Sequence, residues 1–338
     1  MQEANFYKPA RNNAIRCSLC QHNCLILEKN YGICQTRKNI GNKLYSLVYG
    51  FPAALNVDSV EKKPLFHFLP GSFTYSLGTY GCNFKCANCQ NWDISQNNNI
   101  EKEAQKLNFA TPEKIIEDAL GDNCKSISYT YNEPTIFCEY ALDIMRLAHK
   151  YGLKNIWVSN GYMGKSCLEA IIPYLDAINI DLKSFDNNFY KKNCAAKLKP
   201  VLNNLIQLKK EQIHLEVTTL IIPGLSDDLK MLEELTQFII TELNDDTPWH
   251  ISKFSAEASW RLKNLPSASD DIIYQAYEIG KDAGLKYVYV GNIPGDQKEN
   301  TYCPKCGALI IRRLGYEIER FDENGGCPYC DRSLDIIN

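Results

Sequence analysis

Cys82, Cys86 and Cys89 lie in the segment GTYGCNFKCANCQNWDIS (78–95), with the spacing Cys-x3-Cys-x2-Cys. Three thiolates so spaced can hold three corners of a cubane iron–sulfur cluster, [4Fe–4S], and leave the fourth iron without a protein ligand. An open metal position can take a substrate or cofactor, as on a catalytic zinc. Gly78 and Gly81 relax the backbone entering the loop. The competing assignment is a zinc knuckle with a borrowed fourth ligand, although such knuckles are built from CxxC pairs.

The chain has fifteen cysteines, an odd number that fits a disulfide framework poorly. Cys303-x2-Cys306-x20-Cys327-x2-Cys330 has zinc-ribbon spacing, two knuckles that close a tetrahedral site with no room for substrate. Cys17-x2-Cys20-x3-Cys24-x9-Cys34 is less regular. Four thiolates there suit a structural zinc, with His22 as a replacement ligand, or a second iron–sulfur cluster for electron relay. Cys124, Cys138, Cys167 and Cys194 stand alone and read as small buried hydrophobes.

These residues need elements to position them. Seven strand patterns run along the middle of the chain, at 73–80, 126–131, 155–159, 177–183, 213–222, 249–254 and 286–291. Helical patterns lie between them: one capped by Thr111-Pro112, then 135–151, 166–175, 187–210, 227–243 and 270–284. Repeated β-then-α units imply an α/β fold with a parallel sheet, closed or partly closed into a barrel. Polar and glycine-bearing segments follow the strands: Asn132-Glu133-Pro134, Ser159-Asn160-Gly161, Asp181–Phe185, Pro223-Gly224 and Gly291–Gly295. That rim is where such barrels place their chemistry. The expected organisation is an N-terminal Cys-rich module over 1–70, the barrel over 71–295 and a zinc-ribbon module over 296–338. The run Asn97-Asn98-Asn99 reads as a loop.

The net charge of −3 gives no electrostatic case for nucleic acid or an anionic membrane. Apolar runs such as 217–225 are too short to span a bilayer, and the N-terminal MQEANFYKPARNN has no apolar segment of a secretory leader. The expected location is the cytoplasm.

CxxxCxxC after the first strand of a βα barrel resembles the radical S-adenosylmethionine (SAM) superfamily over roughly 73–295. The resemblance implies a partial (β/α)6-type, TIM-like radical SAM barrel, in which SAM binds the open iron and is split to a 5′-deoxyadenosyl radical that abstracts hydrogen. It implies SAM contacts at Asn132 and Glu133, where the family has a Gly-Gly-Glu-type turn, and at Asp181 and Lys183, which resemble the Asp-x-Lys of pyruvate formate-lyase activating enzymes. Ser159, Asn160 and His250 are weaker matches of the same kind. Asn88 stands where many members carry an aromatic, with Phe84 and Trp92 as substitutes for the adenine contact.

The ordered segments CSLCQHNCLILEKNYGICQTRKN (17–39), LYSLVYG (44–50), GCNFKCANCQNWDIS (81–95), SYTYNEPT (128–135), YVYVGNIPG (287–295) and CPKCGALIIRRLGYEI (303–318) are similar to the AmmeMemoRadiSam-system radical SAM enzymes. That narrower resemblance implies association with Memo-like and AMMECR-like proteins, and the reductive cleavage of SAM expected of the superfamily calls for a flavodoxin- or ferredoxin-type electron donor. It leaves three readings: a radical SAM oxidoreductase acting on a protein, such as a glycyl-radical activator; one acting on a small molecule or another macromolecule; or a non-catalytic zinc-binding adaptor.

Overall fold

The computed structural model describes residues 1–97 and 99–338; Asn98, within the expected loop, lies outside the described residues. Eight strands form the central sheet: β1 (Ala54–Ser59), β2 (Phe73–Gly78), β3 (Ser126–Tyr129), β4 (Lys154–Ser159), β5 (Ala177–Asp181), β6 (His214–Ile221), β7 (Trp249–Lys253) and β8 (Val288–Gly291). They hydrogen-bond in linear order from β1 to β8. β2 through β8 run parallel, while β1 is antiparallel to β2. The seven expected strands are all present. The eighth, β1, comes from the segment assigned above to the N-terminal module.

Crossover segments cover the sheet: α1 (Pro112–Gly121), α2 (Cys138–Lys150), α3 (Lys165–Ile171), α4 (Leu198–Lys210), α5 (Leu229–Phe238) and α6 (Asp270–Asp282). Thr111 caps α1 through the Lys114 N–H, with Pro112 at the first position as expected. Strands sandwiched in this way are buried on both faces, as in β3 and most of β5.

The expected helix at 187–210 is a correction. A short turn, Asn187–Phe189, runs into a π-helical turn at Tyr190–Cys194, which ends at Ala195 in the left-handed region (φ 55°). The chain starts again as α4. Two donors need the carbonyls this break exposes: Lys85 N–H to Cys194 O at 2.9 Å and Ala87 N–H to Asn193 O at 3.0 Å. The irregular turn thus anchors the CxxxCxxC loop.

Residues 63–69 cross the inside of the sheet as a plug. Asn179 of β5 donates to Pro64 O at 2.8 Å. Glu216 of β6 accepts from the Phe66 and His67 N–H groups at 3.0 and 2.8 Å. Beneath the plug lie residues 334–337: Leu69 N–H bonds Ile337 O at 2.7 Å, and Ile337 N–H bonds His67 O at 2.8 Å. The N-terminal small sheets share the main core through Ile15, Leu19 and Ile26. The C-terminal module, built on the strands Leu309–Leu314 and Glu317–Arg320, has a core of its own around Ile310, Ile311 and Leu334.

Candidate active site

A cavity of about 650 Å³ opens on the inner face of the sheet. Cys82, Cys86 and Cys89 line it, and so do all seven expected SAM contacts, Asn132, Glu133, Ser159, Asn160, Asp181, Lys183 and His250. Phe84 is on its wall, whereas Trp92 is exposed at the surface. The plug supplies Lys63 and Phe66, and the C-terminal module reaches in with Arg313 and Tyr316.

The cysteine loop is fastened from three sides. Asn132 donates to Gly81 O at 2.7 Å and accepts from the Thr79 N–H at 3.2 Å. Asn160 donates to Asn83 Oδ1 at 2.8 Å. Asn193 donates to Asn88 Oδ1 at 2.8 Å. Two of the expected SAM contacts, Asn132 and Asn160, therefore also set the shape of the cysteine loop. Burial holds the Cys82 thiol well above its ordinary pKa, and Cys86 is raised by a hydrogen bond with Cys194 and by burial. Such thiols become thiolates when a metal group displaces their protons. The donor set fits an iron–sulfur cube with one open corner: three soft sulfurs in one cavity wall and no fourth cysteine in the loop.

Glu133 caps the short turn Pro134–Phe137 at the end of β3. Its Oε1 accepts from the Thr135 N–H (3.1 Å) and hydroxyl (2.5 Å) and from the Ser159 hydroxyl (2.8 Å). Its Oε2 accepts one bond, from the Asn160 N–H at 2.8 Å, and keeps an acceptor site for a ligand. Burial raises its pKa despite these donors. Lys183 pairs with Asp181 at 2.9 Å. Burial opposes the lysine charge, but Asp181 and the nearby thiols of Cys86 and Cys194 hold its pKa well above the usual value.

His250 lies second in β7, in register with Thr218 of β6, which pairs with Asp181 of β5. Parallel neighbours in one row face one side, which is why a residue near a strand's start reaches the rim cavity. Its Nε2 is engaged by Glu216 Oε2 at 2.6 Å, and its ring stacks on Tyr289. Glu216 also engages His214 at 2.9 Å, and these partners hold it well below the ordinary carboxylate range although burial works the other way.

Sequence reasoning missed Glu216, which ties down His250. A carboxylate at the third position of an apolar strand was the available signal. Cys194 is fully buried in the core, as its reading as a packing residue expects.

The C-terminal cysteines 303, 306, 327 and 330 have all four sulfurs within 4.8 Å of one another. In the N-terminal module Cys17, Cys20 and Cys34 are buried and Cys24 is half-buried, with Cys17 N–H bonded to Cys24 O at 2.9 Å.

The family model described as the radical SAM superfamily matches residues 76–239, spanning the cysteine loop and the strands through β6. The chain belongs to the radical SAM superfamily. It is 41% identical to an uncharacterized protein of Methanocaldococcus jannaschii over 100% of both chains. It is 26% identical to the (2S)-3-sulfopropanediol dehydratase activating enzyme of Klebsiella oxytoca, over 35% of this chain and 37% of that one. Among solved structures, Streptococcus suis SuiB bound to S-adenosylmethionine superposes with a TM-score of 0.50 at 13% identity, over 67% of this chain and 50% of that one, a likeness of fold. No helix among the described residues of this radical SAM chain is long and apolar enough to cross a membrane.

Proposed function

We propose that this radical SAM enzyme holds a [4Fe–4S] cluster on Cys82, Cys86 and Cys89, binds SAM beside it and abstracts a hydrogen atom from a protein substrate, as in glycyl-radical activation. The observation that carries the reading is the convergence of the three thiols with Glu133, Asp181 and Lys183 on one cavity. When bound, the cluster supplies the electron that splits SAM into methionine and a 5′-deoxyadenosyl radical.

The chain's own residues then have separable tasks. Lys183 offers an ammonium for the SAM carboxylate, and Glu133 Oε2 and Asp181 offer acceptors for its amine and ribose hydroxyls. Asn132, Asn160 and Asn193 keep the cysteine loop in shape. The plug and the C-terminal module wall the cavity, so that a reactive radical meets substrate rather than solvent. The partial likeness to an activating enzyme supports a protein as substrate. The order of the terminal motifs supports the AmmeMemoRadiSam group, and with it Memo-like and AMMECR-like partners. In the C-terminal module, the Cys303–Cys330 and Cys306–Cys327 sulfurs are each 3.6 Å apart. The edge of a tetrahedron around zinc, with Zn–S about 2.3 Å, is ~3.8 Å, which supports zinc there.

Anaerobically reconstituted protein is expected to form 5′-deoxyadenosine with dithionite, and Cys86→Ala to form none. Activity retained in that variant sinks the assignment. Deuterium transferred into 5′-deoxyadenosine from a labelled protein, rather than from metabolites, distinguishes the substrate classes.

A further inference from the structure

We infer that Cys17, Cys20, Cys24 and Cys34 hold a second iron–sulfur cluster, and that the electron used at the catalytic site enters through it. The first observation is spacing. Among the described residues, the C-terminal four are the only group of three or more potential ligands whose atoms all lie within 4.8 Å. A single zinc ion demands that closeness. The N-terminal four sit in one small module, with Cys17, Cys20 and Cys34 buried and Cys17 N–H bonded to Cys24 O at 2.9 Å, yet no three of their sulfurs lie within 4.8 Å of one another, wider than a single ion requires. Cys82, Cys86 and Cys89 stand wide in the same way. A cage of several irons and sulfides is larger than one ion and holds its thiolates further apart.

The surroundings fit an anionic cluster. The Thr36 hydroxyl donates to Cys34 Sγ at 3.2 Å. The buried Arg37 guanidinium acts on both Cys17 and Cys34. Hydrogen bonds and charge at the sulfurs are what tune such clusters. His22 does not act as a substitute ligand through Nε2, which donates to Asn83 O at 2.8 Å.

Position supplies the role. Asn83 and Gly81 flank Cys82, and a Cβ added at Gly81 would meet Thr36 Cγ2 at 2.5 Å and Cys34 O at 2.8 Å. The N-terminal site therefore touches the catalytic loop directly. Its other side faces solvent, where Leu25 and Ile33, the neighbours of Cys24 and Cys34, are 51% and 43% exposed. A low-potential protein reductant of the flavodoxin or ferredoxin class would give one electron to this cluster and leave oxidised by one electron. The electron then passes to the cluster on Cys82, Cys86 and Cys89. This relay rests on the catalytic reading above; the second metal site does not.

The test uses the full chain, reconstituted anaerobically. C82A/C86A/C89A protein is expected to keep iron, sulfide and a brown chromophore, and to lose them when Cys24→Ser is added. Zinc in place of iron, or no metal at all at this site, overturns the proposal. If the triple variant does not fold, Cys24→Ser alone decides: iron and sulfide per chain should fall with zinc unchanged, and the reverse pattern overturns it. For the relay, Cys24→Ser should cleave SAM with dithionite within about twofold of the parent and with reduced flavodoxin at least roughly tenfold more slowly. Equal effects on both reductants, or none, overturn the relay. A parent protein inactive even with dithionite counts instead against the catalytic reading.

Discussion

The Lys183 ammonium pairs with the Asp181 carboxylate at 2.9 Å in the wall of the cavity. If it receives the SAM carboxylate, Lys183→Ala should leave iron content intact and weaken SAM binding roughly tenfold or more, from loss of a charge-assisted contact of about 1.5–3 kcal/mol. Calorimetric titration reads the affinity. Asp181 is 41% exposed, so the melting temperature should move little. Unchanged affinity with a lower melting temperature would show instead that the pair serves only the fold. At this scale the convergence of Cys82, Cys86 and Cys89 on one cavity, and of Cys303, Cys306, Cys327 and Cys330 on one another, was legible, because thiols that come together in a loop recur at short spacings. Glu133 was legible by its place after a strand, but its bonds to Thr135 and Ser159 were not, since residue type does not reveal which groups of its own chain it satisfies. His250 was legible as a candidate without its tie to Glu216, which depends on strand register.

The π turn at Tyr190–Cys194 is an element with a positional task. Asn193 both accepts from Ala87 through its carbonyl and donates to Asn88 through its side chain. Asn193→Ala leaves the buried Asn88 Oδ1 without this donor, at a cost of about 1–3 kcal/mol. The expected result is a lower melting temperature and faster iron loss under chelator, with helix content by circular dichroism unchanged. Unaltered iron retention would show that the turn does not secure the loop. The helical periodicity of 187–210 gave no hint of the break, because backbone bonds to the neighbouring loop, and not side-chain pattern, select Ala195's left-handed conformation. β1 escaped notice for a related reason. It is an edge strand whose Leu55 and Val57 face outward and whose Asp58 is buried against Lys63, the inverse of the expected alternation. The seven parallel strands were legible because burial on both faces enforces near-continuous apolar or small residues.

Across the whole molecule, the plug and the C-terminal module meet at His67. Its Nδ1 donates to Leu334 O at 3.1 Å and its Nε2 accepts from the Tyr289 hydroxyl at 2.6 Å, which requires the neutral ring. Burial lowers its pKa from 6.5 to about 3. Between those values the unfolded chain binds a proton that the folded chain does not, so stability falls as pH drops through that window. His67→Gln should show a shallower loss of melting temperature between pH 6.5 and 3.5 than the parent protein; parallel curves would exclude this residue as a source of acid sensitivity. Cys306→Ser should release about one zinc and loosen the module's small core, because a closed thiolate site couples metal binding to folding. Metal analysis with a melting curve checks it, and retained zinc with an unchanged melt contradicts it. The C-terminal cysteine cluster was legible from its spacing, but the use of that module as cavity wall and floor support was not, since it rests on contacts such as His67 to Leu334, 267 residues apart. That separation also sets an order in time. At translation rates of about 5–20 residues per second, residues 334–337 emerge ~13–50 s after the plug they brace. Until then the nascent chain has its cysteine loop but an unsupported floor, so the pocket able to confine a radical is completed only late in synthesis.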